Sequence, residues 1–146
     1  MKKFFYSLIA AVMMIFMVSC GASEAYKAGE AAAPSYISAF KANAEDMQGL
    51  AQAYAQIAPT IVKYQQSGTV DFASFMTGLS SALDAESPSA NGSFFGVWMG
   101  NVVNGNGGDD AIKAINTLAE TAKGQSKNAS EFQSAFDAVV KAYTGQ

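Results

Sequence analysis

Residues 35–66, SYISAFKANAEDMQGLAQAYAQIAPTIVKYQQ, decide the fold class. Tyr36, Phe40, Met47, Leu50, Tyr54, Ile57, Ile61 and Tyr64 recur at the a and d positions of a heptad, and only Asn43 is out of character. A two-stranded coiled coil would place charges at the flanking e and g positions. Here those positions carry mainly Ile37, Ala39, Ala44, Ala51, Ala53 and Ala58, with Asp46 and Thr60. The apolar face is therefore too wide for a single seam and fits a helix packed against several neighbours in a bundle. Pro59 cannot donate a backbone hydrogen bond, so a kink or break is expected near positions 56–58.

Downstream, the pattern stays helical. Gly68 ends the first segment, and Thr69 or Asp71 is expected to cap a helix whose face carries Phe72, Phe75, Met76, Leu79 and Leu83. Residues 86–92, ESPSANG, read as a loop of strong breakers. In residues 93–103, SFFGVWMGNVV, the helix period puts Gly92, Gly96 and Gly100 on one face, where another backbone can approach closely. The run is also short, aromatic and bounded by glycine, as a buried strand would be; its helical surroundings favour helix. NGNGG at 104–108 reads as a flexible loop. Asp109 is expected to cap a helix to Lys123 with Ile112, Ile115, Leu118 and Ala122 inward, and Gly124 just past its end. Ser130 and Gln133 form a capping-box pattern before Phe132, Phe136, Val139, Val140 and Tyr143. The expectation is an all-α fold: a small bundle of four to five helices over 35–146.

Upstream, Lys2 and Lys3 precede an uncharged apolar run from Phe4 to Val18, then Ser19, Cys20 and Gly21. This is the layout of a secretory signal peptide. Met17-Val18-Ser19-Cys20 resembles the lipobox of bacterial lipoproteins, with Met17 where that family usually has Leu. The resemblance covers residues 1–21 only. It implies removal of residues 1–19 and lipidation of Cys20 with acyl chains such as palmitate. It also implies a place in the bacterial cell envelope, at the outer membrane given Gly21 rather than Asp after the cysteine. The bland alternative is an uncleaved span, since the uncharged stretch approaches the ~20 residues a membrane helix needs. Its small, polar end and the cysteine placed there favour the lipobox. Residues 21–34, GASEAYKAGEAAAP, read as a flexible tether or a short frayed helix.

Composition narrows the function. Histidine and arginine are absent, and Cys20 is the only cysteine. After the leader, seven lysines face twelve acids, a net charge of −5. Without guanidinium forks or a basic patch, nucleic acid is not an expected partner. No intrachain disulfide, thiolate metal site or imidazole base is available, and neither a metal nor another cofactor is expected. Asn104, Asn106, Asp109 and Asp110 cluster as calcium ligands do, but an EF-hand would need glutamate where Ile115 stands. Glu45-Asp46 and Asp84/Glu86 read as solvated acids rather than a catalytic pair. The serines have no evident activating base. Tyr36, Tyr54, Tyr64 and Trp98 could line an apolar pocket or simply fill the core. The expected function is a non-catalytic binding or interaction module, held at the membrane by lipid and meeting a protein partner in the envelope. The alternatives are a carrier of a small apolar ligand and a membrane-active protein using the glycine segment.

Overall fold

The alanine-rich stretch expected as a tether is largely helical. In a computed structural model, which describes residues 23–106 and 108–145, it begins the first helix. Ser23 Oγ accepts a hydrogen bond from the Tyr26 backbone N–H at 3.1 Å, and helix α1 runs Glu24–Ala42. Good helix formers favour this conformation. What holds it is burial: Ala25, Gly29, Ala33 and Tyr36 make an inward stripe. Residues 24–34, expected to precede the helical domain, thus pack as part of its first helix. The expected signal peptide at 1–19 and the lipidation of Cys20 lie outside the described residues.

The single helix expected over 35–66 is two helices. Asn43 leaves the helix at φ −166°, its side chain accepts from the Glu45 N–H, and its carbonyl accepts from Asp46 N–H. An asparagine side chain competes with the helix for backbone groups, so the one misfit in the heptad marks the break. Asp46 then caps α2, Met47–Ser67, accepting from Gly49 N–H at 3.1 Å. No break occurs at Pro59, nor at Pro34 within α1. Both prolines face solvent, where water can take the carbonyl that proline leaves unpaired.

Gly68, at φ +121°, alone separates α2 from α3, Thr69–Glu86. Neither Thr69 nor Asp71 caps α3. Residues 86–92 are not a loop. Ser87 is the only non-helical residue there; its Oγ accepts from Ser89 and Ala90 N–H, and Pro88 occupies the first turn of α4, Pro88–Asn101. The breakers act together as a cap. A π-helical turn, Val102–Asn106, follows. Helix α5 spans Asp109–Gln125 behind Gly108, so Asp109 lies in its first turn and Gly124 inside its last. Helix α6, Ala129–Thr144, is capped by Asn128, whose side chain accepts from Glu131 N–H, rather than by Ser130. The architecture is all-α, with six α-helices and no strand among the described residues.

The helices form two consecutive triples with one plan. In the first, a Cβ on Gly29 would strike the Phe75 carbonyl, and one on Gly78 would strike the Tyr26 carbonyl, so α1 and α3 touch backbone to backbone. Lys41 and Glu86, at the C-terminal ends of these helices, pair at 3.1 Å, so the two run parallel. In the second triple, Gly92, Gly96 and Gly100 of α4 meet Phe132, then Phe136 and Val139, then Tyr143 of α6. That order again makes the helices parallel. Helix α4 is buried on nearly every side and is the axis of the core.

Candidate functional site

Three of the four aromatic residues singled out above come together at the seam between the triples. Tyr36 of α1 meets Phe94 of α4 edge-on, with centroids 5.2 Å apart. Its hydroxyl shares a 2.7 Å hydrogen bond with Ser93 Oγ. Tyr54 of α2 lies 5.7 Å from Phe94 and 6.3 Å from Trp98. Phe95 stands against Phe94 at 5.6 Å, Trp98 at 6.2 Å and Phe132 at 6.0 Å. These separations are those of packed aromatic pairs, so the rings fill the space that a ligand would need. Burial lifts the Tyr36 phenol well above its ordinary pKa, opposed weakly by Ser93. Burial also lifts Tyr54, with Tyr143 adding to the effect. Both therefore stay protonated at neutral pH and are not bases there. Tyr64 is elsewhere, stacked on Phe75 at 4.9 Å.

An open cleft of about 250 Å³ lies between the start of α2 and the end of α6, lined by Met47, Gln48, Ala51, Ala142 and Tyr143. It shares none of the four aromatic residues named from the sequence. Asn104 Nδ2 donates to the Tyr143 carbonyl at 3.2 Å, and Asp109 and Asp110 sit in the first turn of α5. Among the described residues no three His, Cys, Asp or Glu side chains gather as a metal site would require.

The acids read as solvated have structural work. Asp46 caps α2, and Glu86 pairs with Lys41. Asp84 is the centre of a polar clasp that the sequence did not reveal. Its Oδ1 accepts from Ser126 Oγ at 2.6 Å and Asn91 Nδ2 at 3.2 Å, and its Oδ2 accepts from Lys127 N–H at 3.0 Å. Lys127 Nζ returns a bond to the Ala85 carbonyl, and buried Asn91 and Ser80 bond each other. One carboxylate so ties the end of α3, the start of α4 and the α5–α6 turn.

Among the described residues, one buried polar side chain has no hydrogen-bond partner. Gln65, 2% exposed, presents both Oε1 and Nε2 without a hydrogen bond. It continues the inward stripe of Ile57 and Ile61 on α2. No helix among the described residues is long and apolar enough to cross a membrane. The chain matches no known family model, no curated protein and no solved structure.

Proposed function

We propose that the chain is a lipid-anchored protein of the bacterial envelope whose helical domain serves as a non-catalytic interaction module. The observation that carries this reading is the order of residues 1–21: two lysines, an uncharged apolar run, then Ser19-Cys20-Gly21. Two features of the fold support a module over the alternatives. The aromatic cluster is closed by ring-on-ring contact, which argues against a ligand carrier built on Tyr36, Tyr54 and Trp98. The glycine face of α4 is occupied by α6, which argues against a membrane-active segment. One acyl chain binds a bilayer only marginally, so firm attachment needs the several chains that lipoproteins carry.

The test is the Cys20→Ala variant, followed by a fatty-acid probe and membrane fractionation. Loss of labelling together with release or mislocalisation is the expected result. A variant that stays membrane-bound and full length would make the leader a spanning anchor.

A further inference from the structure

Because α1 begins at Glu24, the chain has little slack between the anchor and the folded core. Cys20 and Ser23 are three residues apart, which allows at most ~11 Å between their Cα atoms. The polar layer on one side of a bilayer is itself about 5–8 Å thick. Unwinding α1 to gain reach would expose Ala25 and part the Gly29–Gly78 crossing. A lipid on Cys20 therefore holds one particular end of the bundle against the headgroups.

The surface of that end is known. Helices α1 and α3 run parallel, so their N-termini lie together. The Tyr64–Phe75 stack and the one-residue link at Gly68 bring the last turn of α2 to the same place. This end carries two of the large apolar side chains left exposed, Val70 at 63% and Val62 at 40%. Lys27 and Lys63 are also exposed on these turns of α1 and α2, the Lys63 ammonium 5.4 Å from the Tyr64 ring centroid, and long lysine side chains of this kind can lie along apolar surface and reach the headgroups. Its acids are exposed Glu24, exposed Glu30 one turn beyond Lys27, and half-buried Asp71, which accepts a 2.6 Å bond from Ser67 Oγ. The opposite end, at the 43–46 turn, is ~28 Å away along α1.

We infer that the α1–α2–α3 end bearing Val62 and Val70 is a membrane-docking surface, which seats the first triple upright on the lipid and lifts the second triple away from it. The inference rests on the lipid anchor proposed above. It is tested with the full, lipidated protein in vesicles of phosphatidylethanolamine and phosphatidylglycerol. Acylation blocks the only native thiol, so Val70→Cys or Glu45→Cys gives a unique site for an environment-sensitive fluorophore. Quenching by headgroup-level nitroxide lipids should be several-fold stronger at position 70 than at 45. Equal, weak quenching at both positions on protein that floats with the vesicles would overturn the docked orientation and leave the anchor standing. A position-70 label shielded from aqueous quencher yet out of reach of the lipid quencher would also overturn it, in favour of a protein contact. A free Cys20 thiol on the unsubstituted chain, with no flotation, would overturn the anchor and the orientation together.

Discussion

The α1–α3 and α4–α6 pairs solve one problem in two ways. Each brings two parallel helices into backbone contact, and each needs residues without side-chain bulk at the crossing. In α4–α6 all the room comes from one partner, through Gly92, Gly96 and Gly100, and α6 supplies the bulk. In α1–α3 the room is shared: Gly29 opens toward α3 and Gly78 toward α1, flanked by Ala25 and Ala33. The difference teaches that close helix packing is a property of a pair. A spacing rule read along one chain segment finds the first arrangement and passes over the second.

The largest expected effect falls on the seam where the pairs meet. Phe94 touches Tyr36 and Tyr54 from the first triple and Phe95 and Trp98 from its own helix. Phe94→Ala should cost about 3–5 kcal/mol. Melting followed by helix content and by Trp98 fluorescence should coincide in the parent protein. Separate transitions there would make the triples independent units and dissolve the comparison.

Next come the crossings themselves. Gly29→Ala, Gly78→Ala and Gly92→Ala each force a methyl onto a backbone carbonyl, and each should cost about 1–3 kcal/mol despite the better helix propensity of alanine. Gly29 and Gly78 share one crossing, so their double variant should cost clearly less than the two added together. Gly29 and Gly92 lie in different pairs and should add to within about 0.5 kcal/mol. The reverse pattern in denaturant titrations would show that the α1–α3 contact is not a single point. Gly96→Ala should be the mildest of the series, because its nearest neighbours, Val139 Cβ and the Phe136 carbonyl, stand farther off than the atoms that face the other crossing glycines.

The seam also predicts alkaline sensitivity. Tyr36 and Tyr54 have folded-state pKa values above their ordinary 10.0. Above that pH the unfolded chain loses protons that the folded chain keeps. The stability the two phenols contribute is therefore whole below pH 10 and falls as pH rises past it, by up to ~1.4 kcal/mol per pH unit for each. Tyr36→Phe and Tyr54→Phe should each flatten that decline. An unchanged slope would mean water reaches the phenols.

The smallest effect is a gain. Gln65→Leu removes an amide that is buried without partners and should raise stability by about 1 kcal/mol, read as a higher melting temperature. A loss would reveal that the amide is satisfied in solution, by ordered water for example.

Much of this fold could be read from the residues. The stripe from Leu50 to Ile61 and the helical faces of α3, α5 and α6 are written in apolar spacing. The start of α1 could not be read, because Ala, Gly and Glu suit a linker and a helix alike and only the presence of α3 decides between them. Nor could the α4 boundary, since Ser87 and Pro88 break one helix and begin another with the same residues. Of the aromatic set, Tyr64 shares its helical face with Tyr54 in the heptad, yet it meets Phe75 while Tyr54 meets Phe94. Spacing gives a face, not a partner. The Asp84 clasp draws its donors from positions 91, 126 and 127. No local pattern can join residues so far apart.

The single residue Ser87 between the triples has a kinetic meaning. Gly29 lies 49 residues from Gly78, and Gly92 lies 40 from Phe132, so each pairing closes within its own half of the chain. Folding speed follows the mean sequence separation of native contacts, and here the two closest helix crossings each close a loop of moderate length. Every α1–α3 contact is available before α4 leaves the ribosome. On a chain made from its N-terminus, the aromatic seam has to wait for Phe94, which follows all three helices of the first triple.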